Sequence, residues 1–424
     1  MEHLIAHDDE PKANDIRKRL GVVSGIGQRT YTPTQIVVDR AKGCRLWTVD
    51  GKELLDFTSG VLVANLGHSH DGFEAKYAEY CGAMPRTSYN MVTEIEVVAA
   101  ERLIGSMKAN SRAEKVLWAA SGSEGIQKAM WAAMHKHPER PIFLATRFGF
   151  HGKKGLAGDV TGDVSPNPNV RFISFPMQDE HPPEYYEAEL DALAREFPEK
   201  IALLITEPYL GAKGSFHPPK WYHRLLQDWC NRHDVAFIFD EVQACHGRTG
   251  HMYAHETYGV EPDLVVLGKG LANGEPAAAV VGRATLIDSL NYGEASDTFS
   301  GNPRACAAVC ATLDIFEQEK IVENCTKAAA ILRKGLAHLR DEFDFITDVR
   351  GEGLVYGVEM EDAEAANRCV LEAYHGTEKG GVHFLGPLAG KVLRVSPPLI
   401  ISESEINVAL GVLRGAWSRV GSIR

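Results

Sequence analysis

The residues best suited to chemistry stand at the ends of short apolar runs. In VAFIFDEVQ, residues 235–243, five apolar residues lead straight into Asp240 and Glu241. Such a run reads as a fully buried strand, and negative charge carried out of an apolar core implies a cation to meet it. LVVLGKG (264–270) ends on Lys269, between two glycines that leave room around its stem. A lysine shielded from water can be neutral and nucleophilic toward a carbonyl. KVLWAA (115–120) runs into SGSEG (121–125). Free N–H groups at a helix start, beside small residues, suit a phosphate. PIFLAT (141–146) is followed by RFGFHG (147–152), and IALLIT (201–206) by Glu207 and Pro208.

Taken singly, each has an ordinary explanation: Ser121 or Ser123 as an N-cap, Lys269 as a solvated strand-end lysine, Phe150 as a core aromatic. What joins them is the sheet they imply. Open parallel sheets place ligands beyond the carboxyl ends of their strands, so Lys269 and Asp240 are expected at one edge. A carboxylate beside a pyridine nitrogen keeps that nitrogen protonated. Pyridoxal phosphate needs such an acid, a lysine for its aldehyde, a phosphate cup and a flat residue such as Phe150 against its ring. Competing motifs fail. Gly268-Lys269 has no glycine five residues before Gly268, Gly25-Ile26-Gly27 lacks the third glycine of a dinucleotide fingerprint, and HETYG (255–259) lacks the second histidine of a zinc helix. No metal is expected.

The elements that must position these residues are legible as rhythm. Residues 35–57 alternate apolar and polar around Asp50-Gly51, a hairpin signal. From about residue 92, amphipathic stretches alternate with apolar runs, which also include VRFISF (170–175) and AAAVVG (277–282). Apolar runs joined by helices predict an α/β fold with a mostly parallel sheet covered on both faces. A long helical stretch, 304–340, leads into FITDVRGEGLVYGVEM, a second small sheet. The expected division is a large cofactor-binding domain over 69–314 and a smaller α/β lobe built from 1–68 and 315–424. The net charge of -12 argues against nucleic-acid binding. No 20-residue apolar run suggests a membrane span, and the N-terminal MEHLIAHDDEPKANDIRKRL lacks the apolar region of a signal peptide. Eight cysteines without CxxC spacing fit a reducing cytoplasm, with Cys306 and Cys310 as small buried residues.

With these residues in view, the sequence resembles the class III (ornithine/4-aminobutyrate-type) aminotransferases from about Pro33 to Leu413. The matching stretches are LDFTSGVLVANLGHSH, SGSEG, FHG, EP, IFDEVQACHGRTG, PDLVVLGKGLANGEPAAAVVGR, DTFSGNP, RGEGLVYGVEM and LRVSPPL. The resemblance implies a fold-type I transferase that moves an amino group from an ω-amine or amino acid to a 2-oxo acid, 2-oxoglutarate or pyruvate, in two ping-pong halves on pyridoxal 5'-phosphate. It implies Lys269 as the Schiff-base lysine and proton shuttle, and Asp240 as the partner of the pyridine nitrogen. Val242 and Phe150 would sandwich the ring, Gln243 would lie near the cofactor hydroxyl, and Gly122 and Ser123 would form the phosphate cup. Thr298 would reach the phosphate from a neighbouring subunit, making the active unit a homodimer or higher homo-oligomer. Arg394 would grip an α-carboxylate, and Glu207 would pair with that arginine when the substrate has none.

Some positions depart from the family pattern. Lys153 stands where an arginine often binds a distal carboxylate. YLGAKG follows Glu207-Pro208 in place of the common VQG pattern, and Cys245-His246 replaces the usual Gly-Phe. Both changes are expected to fall near the site. Val61 replaces the glutamine of dialkylglycine decarboxylase, which lowers the decarboxylase reading. The alternatives on the same cofactor are an aminomutase, a racemase or a decarboxylase.

Overall fold

The hairpin signal of the N-terminal stretch folds as β1 (Val38–Lys42), β2 (Arg45–Thr48) and β3 (Glu53–Asp56), each antiparallel to the next. Gly51 turns the chain between β2 and β3 with φ +90°, a conformation that the missing Cβ makes cheap. The computed structural model describes residues 5–28, 30, 32–107, 111–178, 181–386 and 389–421. Two units divide the chain: Met1–His70 with Glu323–Arg424, and Asp71–Val322.

The apolar runs of the second unit become seven strands: β4 (Lys115–Ala119), β5 (Ile142–Thr146), β6 (Val170–Ile173), β7 (Ile201–Thr206), β8 (Ala236–Asp240), β9 (Leu264–Leu267) and β10 (Ala278–Gly282). They form one sheet in the order β4-β10-β9-β8-β7-β5-β6. Neighbours run parallel except at β10, which is antiparallel to both β4 and β9. Reversing twice leaves β4 pointing the same way as β9. The carboxyl ends of β4 to β9 therefore share one edge, and the informative residues follow those ends.

Alternate residues of these strands feed two apolar layers, as the two-residue period of a strand requires. Phe143, Ala145, Leu203, Ile205, Ile238 and Val266 pack with Ile126, Ala129, Met130 and Ala133 of the helix Gly122–Lys136. Leu144, Leu204, Phe237 and Phe239 pack on the opposite side with Tyr222, Leu226 and Trp229 of the helix Lys220–His233. Each fully buried Leu or Phe contributes about 1.5–3 kcal/mol. This double burial explains why the runs show no polar alternation.

The helical stretch after residue 302 is two helices, Pro303–Gln318 and Ile321–Glu342, broken where Lys320 takes φ +51°. Asn302 starts the first: its side chain accepts from the N–H groups of Arg304 and Ala305, with proline next in line. The first unit is completed by β11 (Ile346–Glu352), β12 (Val355–Met360), β13 (Gly381–His383) and β14 (Val392–Val395). β11, β12 and β14 form the second small sheet, and β13 adds in parallel to β3.

Candidate active site

Asp240 is the last residue of β8, and its Cα pairs with that of Val266 on β9. Its carboxylate is buried and held on both oxygens. Oδ2 accepts from Nδ1 of His151 at 2.7 Å, and Oδ1 accepts from the N–H of Val242 at 3.0 Å. A carboxylate only accepts, so the proton sits on His151 Nδ1. His151 Nε2 is buried without a hydrogen-bond partner among the described residues. The sequence pairs FHG only through Phe150; the role of His151 emerges when β5 and β8 bring residues 89 apart in the chain together.

Lys269 follows three residues after Val266, past Gly268, and takes φ +44° at the start of a short 3-10 turn, Lys269–Ala272. Gly268 is extended, and its carbonyl accepts from the thiol of Cys245 at 3.3 Å. Close approach explains both glycines here. A Cβ on Gly268 would lie 3.2 Å from Val242 Cγ1, and one on Gly122 only 2.9 Å from the same atom. The Val242 side chain is thus wedged between the start of the helix Gly122–Lys136 and the residue before Lys269. A Cβ on Gly152 would lie 2.5 Å from Ser123 Oγ, so the FHG loop also closes on that helix start. Ser121 caps the helix, accepting from Glu124 N–H at 3.4 Å.

Glu207, after β7, is buried, and its Oε1 accepts from the backbone N–H of Phe150 at 2.9 Å. Burial pushes its pKa up to about 7, with Asp240 adding to the rise, while His151, the Phe150 N–H and Lys269 oppose it. These influences place Glu207, His151, Asp240 and Lys269 in one electrostatic neighbourhood. Gln243 is buried, its carbonyl accepts from Tyr209 Oη at 3.2 Å, and a Cβ on Gly211 would meet its Oε1 at 2.6 Å. The departing YLGAKG segment therefore packs directly on Gln243.

Glu241 turns the opposite way from Asp240. It accepts from the N–H groups of Ala254 (2.6 Å) and His255 (2.8 Å) and pairs with His255 Nδ1 at 2.8 Å. One of the two adjacent carboxylates is held by His151 and Val242; the other holds the start of the helix Ala254–Tyr258. His255 of HETYG is thereby committed to Glu241, and no cluster of metal-ligating side chains occurs among the described residues.

Arg394 belongs to the first unit, buried on β14 opposite Gly357 of β12. In the same unit Ser59, Gly60, Val61 and Leu62 form a left-handed turn, with φ of 48°, 59°, 68° and 62°. Left-handed geometry costs an L-residue roughly 1–2 kcal/mol. Ser59 Oγ, donating to Ser396 O at 2.7 Å, helps to hold it. In the second unit, Phe150 and Val242 are half-buried, Lys153 is exposed, and Thr298 lies in an exposed loop.

The set fits pyridoxal phosphate. A 15-residue helix begins at Gly122 beside a glycine-lined approach, Asp240 is fixed at the strand edge, and Gln243 Oε1 is buried with no hydrogen-bond partner among the described residues. Comparison with known proteins agrees. The family model described as "Aminotransferase class-III" matches residues 26–416. Acetylornithine aminotransferase of Methanothermobacter thermautotrophicus is 31% identical, with 91% of this chain and 94% of that protein covered. A 4-aminobutyrate aminotransferase of Escherichia coli is 30% identical, covering 94% and 96%. The crystal structure of an amine transaminase from an uncultivated Pseudomonas species, in a PLP-bound form, superposes with a TM-score of 0.83 at 28% identity, covering 94% and 97%. A lysine and a carboxylate at neighbouring strand ends, a glycine-lined helix start beside them and this match over nearly the whole length have one explanation: the chain belongs to the class III aminotransferases, pyridoxal-phosphate enzymes that pass an amino group from a donor to a 2-oxo acid.

Proposed function

We propose that the donor is an ω-amine or an amino acid and the acceptor 2-oxoglutarate or pyruvate, with the roles divided as follows. Bound pyridoxal phosphate supplies an aldehyde and an electron-withdrawing ring that together take up and release the amino group. Lys269 Nζ holds the aldehyde carbon between turnovers and moves the proton at the substrate's Cα. The Asp240 carboxylate, oriented by His151 Nδ1–H and Val242 N–H, keeps the ring nitrogen protonated. Gly122 and Ser123 take the phosphate on their N–H groups. Phe150 and Val242 face the ring, and Gln243 offers its side-chain amide to the cofactor hydroxyl. Arg394 binds the substrate carboxylate through its planar fork, and Glu207 is the second substrate-binding residue.

The observation that carries this reading is the pairing of Asp240 with Val266, three residues before Lys269. Neighbouring strands lie ~4.8 Å apart and three further residues add at most ~10 Å, so the two Cα atoms stand within about 11 Å, room for one pyridine ring between the two side chains. Thr298 is assigned to the phosphate of a neighbouring copy, so the working unit is a homodimer or larger. The large domain, 69–314, carries the cofactor, and 1–68 with 315–424 forms the smaller lobe. A cytoplasmic site of action suits the eight free cysteines. No described helix is long and apolar enough to cross a membrane. Aminomutase, racemase and decarboxylase chemistry are not favoured, because the relatives are transaminases.

The test is a half-reaction. Amino donor alone should bleach the visible band of the bound cofactor, a 2-oxo acid alone should restore it, and Lys269→Ala should abolish turnover. If no donor in a broad panel of ω-amines and amino acids bleaches the band, the reading is wrong.

A further inference from the structure

The helix that begins at the proposed phosphate cup carries, two turns on, a buried lysine that the chemistry above does not use. Lys128 is 4% exposed. Its ammonium donates to Trp118 O at 2.7 Å, Asp297 Oδ2 at 2.7 Å and Ser300 Oγ at 3.1 Å, which uses all three of its hydrogens. Asp297 in turn organises a tight turn. Its Oδ1 accepts from the N–H groups of Phe299 (3.0 Å) and Ser300 (2.7 Å), and the Ser300 hydroxyl donates to its Oδ2.

Thr298 sits inside that turn. Its carbonyl accepts from Thr87 Oγ1 at 2.9 Å, while the residue is left exposed. Gly301, with φ +65°, brings the chain so close to β4 that a Cβ there would lie 2.8 Å from Trp118 Cδ1. The backbone on either side of Thr298 is therefore fixed, and the lysine that fixes it belongs to the same rigid rod as Gly122 and Ser123. At 1.5 Å per residue, Lys128 lies ~9 Å along the helix from Gly122.

We propose that Lys128 and Asp297 are positioning residues for Thr298, and that the helix Gly122–Lys136 thereby serves two sites at once. Its first turn receives the phosphate of its own chain, and its Lys128 sets the threonine that completes the site of a neighbouring copy. The inference rests on the reading of Thr298 given above. Partial burial raises the Asp297 pKa, but the hydrogen bonds from Lys128 and Ser300 outweigh it and bring it down to about 2. Asp297 therefore stays ionised wherever the enzyme is assayed. Burial of the ammonium also leaves the link weakly screened by salt.

The experiment is titration of cofactor-stripped enzyme with pyridoxal phosphate, comparing T298A, K128M and D297N with the doubles K128M/T298A and D297N/T298A. Thermal unfolding of each variant identifies any that fail to fold. A hydrogen bond to a charged phosphate carries roughly 10- to 100-fold in affinity. T298A should lose that much, and K128M about 3- to 10-fold. K128M should change affinity less than about twofold once Thr298 is already alanine, because its effect runs through that residue. D297N reads the same coupling should K128M not fold. Equal K128M and D297N effects in both backgrounds would reduce them to general packing and overturn the inference. So would T298A binding weakly while the folded K128M and D297N bind as wild type. T298A binding as wild type would instead overturn the reading of Thr298 itself, and the inference with it.

Discussion

Glu207 offers a measurement in which the site's electrostatics decide the sign. Its carboxyl is fully buried, and burial raises its pKa from 4.5 to about 7. At about 1.36 kcal/mol per pH unit, that rise corresponds to roughly 3 kcal/mol. Folding favours the protonated form, so this stability is fully present below about pH 4.5 and is lost as the pH rises toward 7. Above pH 7 the folded chain bears the whole penalty of a buried carboxylate. Glutamine has the same shape, carries no charge, and can still accept from the Phe150 N–H that now bonds Glu207 Oε1 at 2.9 Å. Glu207→Gln should therefore exceed wild type by no more than about 1 kcal/mol at pH 5 and by about 2–4 kcal/mol at pH 8.5. Urea denaturation of cofactor-stripped protein, at one protein concentration and both pH values, measures the difference, provided the denaturant slopes agree. A mutant-minus-wild-type difference that does not move with pH would refute the argument. So would a wild type that is the more stable protein at pH 8.5.

Three further outcomes are expected. His151→Leu strips Asp240 of its 2.7 Å partner and should weaken pyridoxal-phosphate binding by roughly tenfold or more, as for other hydrogen bonds to charged groups. His151→Asn, which keeps a donor near the Nδ1 position, should recover part of the loss in the same titration. Gly152→Ala places a methyl 2.5 Å from Ser123 Oγ at φ +147° and should cost about 1–3 kcal/mol in a denaturation midpoint, with weaker cofactor binding because the helix start is displaced. Arg394→Gln should raise KM for the 2-oxo acid at least tenfold by removing a charged fork, whereas the cofactor's visible band stays as in wild type.

The sheet was legible because its strands are buried on both faces. VAFIF, IALLIT and LVVLG show no polar alternation, and each became a strand with every residue buried. The reversed direction of β10 was not legible, since AAAVVG reads alike in either sense and only its two antiparallel registers reveal it. Asp240 could be singled out by its place at the end of the apolar run and by the resemblance, but the fate of Glu241 could not. Successive side chains of an extended chain point to opposite sides, so two adjacent carboxylates cannot share a ligand, and the donors that receive the second lie 13 and 14 residues further on. His151 was hidden for a similar reason, because its partner is supplied by a strand rather than by the motif that contains it.

The departures from the family pattern show what a motif comparison alone cannot resolve. Cys245-His246, expected to fall near the site, divides into two different cases. Cys245 does reach it, donating to Gly268 beside Lys269, and burial pushes its thiol up to about 12, so it acts there as a neutral donor. His246 does not behave as a new cation. Burial lowers its pKa to about 3, and its ring lies edge-on to Tyr253 and Phe316 at 5.6 Å each. A neutral imidazole in that setting packs as an aromatic ring. YLGAKG is the opposite case. Tyr209 bonds the carbonyl of Gln243, and Gly211 leaves no room for a side chain against the same residue. A change in that segment moves a group assigned to the cofactor hydroxyl, which makes it, among the departures whose contacts are seen, the one best placed to alter chemistry as well as packing.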